Sequence, residues 1–149
     1  MCDIPPNQSF EKRFARLLAE SRDLNLAEAA RRDPSRLLFL LAARFGYDVQ
    51  QGGFAQLLYN MNGNFLDKIE EMLVIASAPV ARDHYVRAIQ ACLANESEYQ
   101  RFLASDFLEP NILKDTLHKI SIDYFTKHVW FGDEAQAFLA ETEHEPESN

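Results

Sequence analysis

The chain has 149 residues, a length typical of one compact domain of about 100–150 residues. It carries 23 Asp and Glu against 15 Lys and Arg, so its formal net charge is −8. This balance disfavours direct binding to nucleic acid, because such binding depends on Lys and Arg to displace counterions from the phosphates. Apolar residues make up 47% of the chain, which argues against general disorder.

The chain shows no sequence signal for a membrane. Its longest apolar run, Leu37 to Ala43, is much shorter than the roughly 20 residues that a spanning helix needs. No basic segment followed by an apolar one opens the sequence, so no signal peptide is predicted. The two cysteines, Cys2 and Cys92, favour a reduced protein. We therefore expect a cytoplasmic protein.

The apolar spacing is helical nearly throughout, starting at the N-terminus. A first helix is predicted from one apolar stripe, formed by Phe10, Phe14, Leu17 and Leu18. Asn25 with Glu28 is typical of a capping box and predicts a second helix. Asp33 and Pro34 then provide a cap and a first-turn proline for a third helix. Residues 37–43 of that helix are apolar on all sides, which predicts a central position.

Glycine and asparagine divide the middle of the chain. We expect Gly46 to end the central helix, and Gly52 with Gly53 to separate it from a helix over about residues 54–60. The next two helices are predicted from their inward residues. These are Phe65, Ile69, Met72, Leu73 and Ala76 for the first, and Tyr85, Ile89, Cys92 and Leu93 for the second, which starts at Pro79.

The last third of the chain predicts three more helices. Asn95 and Glu98 are expected to cap a short one, Pro110 to begin the longest one, and Gly132 to open the last. The inward residues of the longest one are Leu113, Leu117, Ile120, Tyr124 and Phe125. The predicted fold is therefore all-α, a single compact domain of about seven to nine helices over residues 1–141. Residues 142–149 are predicted to form a disordered acidic tail.

No arrangement of residues indicates catalysis or cofactor binding. The histidines and cysteines lack metal-ligand spacing, and the chain has no glycine-rich phosphate loop and no nucleophile elbow. We predict no metal, no cofactor and no enzyme activity. The enzyme alternative rests on Gln56, Asn60 and His84, which would have to converge in a pocket beside Arg82 or Arg87.

The most specific motif runs from Gln51 to Asn60 and has the sequence Gln-Gly-Gly-Phe-Ala-Gln-Leu-Leu-Tyr-Asn. Its glycine pair permits positive φ and a close approach between backbones. Phe54 follows as a buried anchor. Gln56 and Asn60 are i, i+4 partners on one helix face, and Asn60 suits a helix end. These residues by themselves predict a structural turn.

This motif resembles the signature of a bacterial family of small all-helical proteins. The resemblance covers about residues 47–102, and Gln51 departs from the Asn that is common in the family. It is carried by Gly52, Gly53, Phe54, Gln56, Tyr59 and Asn60. The family's characterised representative is an acidic, dimeric DNA mimic that occupies the DNA-binding surface of a transcription factor.

The resemblance implies a non-enzymatic regulator whose partner is a DNA-binding protein, and it suggests a homodimer. The alternative is an immunity or antitoxin protein that neutralises a toxin by direct binding. Neither function requires direct contact with nucleic acid.

The distribution of charge bears on this implied function, because a mimic of DNA needs carboxylates on a rigid surface. Residues 133–149 have a net charge of −6, whereas residues 1–132 together have −2. The best candidates for partner-binding carboxylates are Glu96, Glu98, Asp106, Glu109, Asp115, Asp133 and Glu134. The alternative interpretation of these seven is helix capping and ordinary solvation.

Overall fold

The computed structural model describes Ala19 and residues 26–141, and the regular structure in this part of the chain is helical throughout. Its eight helices are α1 (Leu26–Arg32), α2 (Pro34–Met61), α3 (Leu66–Ile75), α4 (Pro79–Ala94), α5 (Glu96–Ala104), α6 (Ile112–Thr126), α7 (Phe131–Glu134) and α8 (Gln136–Ala140). The predicted all-α domain with seven to nine helices is thus confirmed. The predicted stripe of Phe10, Phe14, Leu17 and Leu18, the Asn25 cap and the acidic tail lie outside the described residues.

Helix α2 is central, as its sequence predicts. Asp33 Oδ1 accepts a hydrogen bond from the Arg36 backbone N–H at 3.1 Å, and Pro34 occupies the first turn. Residues 39–43 are all buried, because α1, α3 and α6 all pack against α2. Burial on every side explains why the run has no polar face.

The prediction that Gly46 ends the central helix is wrong. Gly46 is buried inside α2, and the helix continues because Phe45 and Val49, one turn apart, are both fully buried. That burial outweighs the cost of about 1 kcal/mol for glycine inside a helix. The backbone departs from helical geometry instead at Gly52 (φ −145°) and Gly53 (φ 70°, ψ −165°).

Gly53 lies against α6 at a distance that excludes a side chain. A Cβ at this position would be 2.4 Å from Ser121 Oγ. Ser121 Oγ also accepts a hydrogen bond from the Phe54 backbone N–H at 2.9 Å and donates one to the Leu117 carbonyl at 2.9 Å. The N–H left unpaired by the break in α2 is thereby satisfied by α6.

Aromatic rings join the two parts of α2 to the rest of the core. The Phe45 ring lies 6.2 Å from Phe54, 6.2 Å from Tyr85 and 4.9 Å from Phe131. The Phe54 ring lies 5.7 Å from Tyr124. Because these rings come from α2, α4, α6 and α7, the core is one continuous unit.

Three predicted helix ends differ from the structure. The left-handed cap that ends α2 is Asn62 (φ 51°) and not Asn60, which is still helical. Helix α6 begins after Asn111, whose side chain accepts from the Lys114 N–H at 3.0 Å, so Pro110 lies before the helix. Gly132 lies inside the short α7, and the last described helix, α8, begins at Gln136. At these three places the sequence indicates a nearby helix end, but its exact position depends on tertiary contacts. Asn95, by contrast, is the N-cap of α5 as predicted, although its side chain makes no capping hydrogen bond.

Two residues that were predicted to face inward are exposed. Leu93 is 65% exposed and Phe125 is 42% exposed. Each follows a fully inward residue, Cys92 and Tyr124 respectively, and one step along a helix rotates the side chain by about 100°. The core therefore ends at the preceding residue on both helices.

Replacement of Gly53 tests the close approach of α2 to α6. We expect G53A to lower the free energy of unfolding by about 2–4 kcal/mol, because a Cβ there combines a positive φ with a clash against α6. G63A is the matched control, since Gly63 also has a positive φ, but its nearest neighbour would be 3.9 Å away. It should cost about 1 kcal/mol. Equal losses in urea unfolding would contradict the clash.

Candidate protein-binding site

Helices α4 and α6 are antiparallel, which fixes the two ends of the molecule. In the first half of α4 His84 Nε2 lies 3.0 Å from Asp123 Oδ2, near the end of α6, and Arg87 Nη1 from the middle of α4 lies 2.7 Å from the same oxygen. At the other end Glu98, four residues after α4, contacts Asn111, which directly precedes α6. The end of α4 therefore lies beside the start of α6, and α5 packs against both. We call this second region, with the turn between α5 and α6, the carboxylate end.

The carboxylate end brings together five of the seven predicted partner-binding residues. They are Glu96, Glu98, Asp106, Glu109 and Asp115. Glu98 Oε2 accepts from Asn111 Nδ2 at 3.5 Å, which ties the first turn of α5 to the start of α6. Two cations, Arg101 and Lys114, accompany the five carboxylates in residues 96–115. The region therefore carries a net negative charge.

Both of these cations are occupied by neighbouring groups. Arg101 Nη1 lies 3.3 Å from Glu98 Oε1. Lys114 Nζ donates to the carbonyls of Phe107 and Glu109 at 2.7 and 2.6 Å. Lys114 thus fixes the turn before α6 and forms no ion pair with the Asp115 or Glu109 carboxylates.

Three of the five carboxylates have no hydrogen bond or ion pair within the described part of the chain. These three, Glu96, Glu109 and Asp115, are exposed. The other two have local roles: Glu98 binds Arg101 and Asn111, and Asp106 Oδ1 accepts from the Leu108 N–H at 3.1 Å. Exposed charges without an internal partner are the ones available to another molecule.

The remaining two predicted carboxylates, Asp133 and Glu134, lie at the opposite end of α4. Glu134 accepts from the Val80 N–H at 2.9 Å and from the Ala81 N–H at 3.0 Å, so it caps α4. Helix α4 has 16 residues, which separates this group from the carboxylate end by about 24 Å. Asp133 beside it is exposed. The seven predicted residues therefore form two groups.

The glycine-rich motif supports the carboxylate end from inside the protein. Tyr59 OH donates to the Ser105 carbonyl at 2.8 Å, and its ring lies 5.5 Å from Phe102 and 5.3 Å from Phe107. These contacts hold the turn that carries Asp106. The motif residues are thus structural.

Two polar residues of the motif bind each other. Gln56 Nε2 donates to Asn60 Oδ1 at 3.0 Å. His84, the third residue of the enzyme alternative, has other partners: its Nδ1 lies 2.8 Å from the Val80 carbonyl and its Nε2 lies 3.0 Å from Asp123 Oδ2.

Sequence reasoning missed an ion-pair cluster centred on Asp123. In addition to Arg87 and His84, which contact Asp123 Oδ2, Lys127 Nζ lies 3.8 Å from Asp123 Oδ1. Hydrogen bonds from Arg87 and then from His84 hold the pKa of Asp123 below its ordinary value of 3.8. The i, i+4 spacing of Asp123 and Lys127 was visible in the sequence, whereas the pairing with α4 depends on the fold.

The fold and the distribution of charge define a class: a small all-helical protein with three exposed, unpaired carboxylates at one end. The chain belongs to the DMP19-like protein family, whose family model matches residues 30–141. This range is wider than residues 47–102, over which the resemblance was recognised. Membership supports a DNA-mimic function at the level of the family. Neither the curated proteins nor the solved structures gave a match.

Two kinds of structural feature are absent from the described residues. None of their helices combines the length and the apolar character needed to cross a bilayer. Among the same residues, no three His, Cys, Asp or Glu side chains are grouped so that they could hold a metal ion.

Glu134 and Asp133 offer a direct comparison between a capping and an exposed carboxylate. We expect E134A to lower the free energy of unfolding by about 1–2 kcal/mol, because it leaves two backbone N–H groups of α4 without acceptors. D133A should change it by less than about 0.5 kcal/mol. Denaturant unfolding measures both, and equal effects would show that Glu134 does not act as a cap.

The lowered pKa of Asp123 predicts a pH dependence of stability. A carboxylate with a lowered folded-state pKa stabilises the fold above the unfolded value of about 3.8, and this contribution is lost as the pH falls through the folded-state pKa. D123N should therefore have a lower Tm than the wild type at neutral pH. The difference should shrink in acid below that value. D83N, at an exposed residue of α4, is the control, and a D123N difference that persisted in strong acid would contradict the prediction.

Proposed function

We propose that this protein binds a DNA-binding protein through the carboxylate end and thereby competes with DNA for that partner. The observation that carries the proposal is the set of three exposed carboxylates without internal partners, Glu96, Glu109 and Asp115, in a member of a DNA-mimic family. Asp106 and Glu98 complete the same surface. The proposed activity is binding alone, without catalysis or cofactor, in the cytoplasm.

Rigidity of the turn between α5 and α6 supports this proposal. Mimicry needs charges at fixed positions, because duplex DNA carries about one charge per 1.7 Å of its axis. The turn is held by Tyr59 at Ser105, by Lys114 at two carbonyls and by Asn111 at Glu98. Such a turn keeps Asp106 and Glu109 in place, which a flexible acidic segment would not.

The local charge balance supports the same surface. Neither Arg101 nor Lys114 forms an ion pair with Glu96, Glu109 or Asp115, and residues 96–115 hold five carboxylates against these two cations, so a positive partner meets a net negative surface. Charges at the edge of an interface mainly set the association rate and its salt dependence. We therefore expect binding to weaken strongly as the ionic strength rises, because screening shortens the range of these charges.

Neutralising the three unpaired carboxylates tests the proposal. The variant E96Q/E109Q/D115N should bind the partner about tenfold more weakly at low ionic strength and with a flatter salt dependence. The partner is first captured with the wild-type protein from an extract of the native host and identified by mass spectrometry. Its affinity for each variant is then measured with and without competing duplex DNA.

The matched control is D83N/D133N/E141Q, which removes the same charge from exposed positions outside the carboxylate end. It should bind like the wild type. Equal affinity of both variants, or binding that duplex DNA does not displace, would overturn the proposal. Capture of a toxin would instead support the immunity alternative. Light scattering of the purified protein gives its mass and so tests the proposed homodimer.

A further inference from the structure

A cleft of about 430 Å³ lies between α3, α4 and α5, directly beside the carboxylate end. Its volume falls within the range of about 300–1,000 Å³ that is typical of ligand sites. The cleft is lined by Leu66, Ile89, Cys92, Leu93, Glu96, Ser97, Tyr99 and Gln100. The wall is therefore largely apolar and the polar side chains come from α5.

The exposure of Leu93 indicates that the apolar wall of this cleft is suited to burial by another molecule. Leu93 is 65% exposed and directly follows Cys92, the last core residue of α4. Ile89, one turn earlier on the same helix, is half-buried and lines the same wall. An apolar surface of this kind costs free energy in water and gains it when another apolar group covers it.

Charge around the cleft specifies what can cover it. Of the eight lining residues one is a carboxylate, Glu96, and none is Lys or Arg. Glu96 is exposed and has no hydrogen bond or ion pair among the described residues. An apolar group that enters here from a positively charged segment would thus meet an unpaired carboxylate, Glu96, at the rim.

We propose that the cleft receives one large apolar side chain, such as Leu, Met or Phe, from the basic surface of the DNA-binding partner. The Lys or Arg residues that flank this side chain then face Glu96 and the rest of the carboxylate end. This inference rests on the proposed function, because it assumes the same partner and the same surface. The inference adds an apolar contact, between the cleft and one side chain of the partner, that the carboxylates alone do not provide.

Such a combination fits the chemistry of DNA-reading surfaces. These surfaces carry Lys and Arg for the phosphates together with apolar side chains that contact the methyl group of thymine. Carboxylates alone attract any basic surface. A cleft that accepts only a suitably placed apolar side chain discriminates among basic proteins, since specificity requires a difference in affinity between partners.

The test uses synthetic peptides, so it does not depend on the identity of the partner. Two lysine-rich helical peptides have equal length and charge and differ at one central residue, Leu in one and Ala in the other. NMR titration of the full chain gives both affinities. The Leu peptide should bind the wild type about tenfold more tightly than the Ala peptide, with the largest shifts at Leu93, Ser97 and Gln100.

Filling the cleft should remove this preference. S97W places a large ring in the cleft, and the ratio between the two affinities should fall to about one. Q90W is the matched control, because Gln90 is exposed on α4 but does not line the cleft. It should keep the wild-type ratio. Q100W replaces S97W if circular dichroism shows that S97W does not fold.

The outcomes separate this inference from the proposed function. A ratio of one on the wild type, or a ratio that S97W leaves unchanged, overturns the anchor cleft. If E96Q/E109Q/D115N still weakens both peptides, the carboxylate end survives that failure. If this variant changes neither affinity, the proposed function fails. Equal binding of an uncharged peptide with the same Leu would show that the cleft takes any apolar group, which contradicts a basic partner.

Discussion

The contact between Gly53 and Ser121 is the constraint on which the rest of the structure depends. It allows one long apolar segment, α2, to change direction inside the core while its freed backbone N–H is satisfied by α6. Without the change of direction, Phe45 and Phe54 could not both contact the shared aromatic cluster with Tyr85 and Tyr124. A side chain larger than hydrogen at position 53 would push α6 away, and α6 carries Asp115 at one end and Asp123 at the other. The geometry of both charged ends thus follows from one close approach.

The same segment also determines how the carboxylate end is presented. Five residues after Phe54, Tyr59 reaches across to the Ser105 carbonyl and packs between Phe102 and Phe107. Tyr59 of the glycine-rich motif thus helps to position the turn that carries Asp106 and Glu109. A residue of a buried motif can in this way affect the geometry of a charged surface that it does not itself form.

Local signals in the sequence predicted much of the fold, but they did not predict the sites of close contact. Asp33 with Pro34 and the apolar run from Leu37 were sufficient for the central helix, because capping and burial act within a few residues. Gly46 was misjudged because a glycine that ends a helix and one that is buried in it look alike without the neighbouring helices. The grouping of Glu96 with Asp115, and the separation of both from Glu134, depends on α4 and α6 being antiparallel. The contacts of Asp123 with His84 and Arg87 of α4 also depend on this antiparallel arrangement, so the sequence alone did not predict them.

The charge that matters for binding is the charge that the protein leaves unpaired, and the total is a poor guide to it. Much of the net charge of −8 belongs to the last residues of the chain, and of the carboxylates in the body, Glu134 caps a helix while Asp123 is held by two helices. Among the exposed carboxylates without an internal partner, Glu96, Glu109 and Asp115 lie where α5 meets α6. The two cations of that region make internal contacts with carbonyl groups and with Glu98. Whether such a surface stays negatively charged and unpaired depends on which groups its own cations contact. The cleft beside it adds apolar area where the charges alone would attract any basic protein. In the proposed function, affinity and discrimination would therefore come from neighbouring but chemically different parts of the same end.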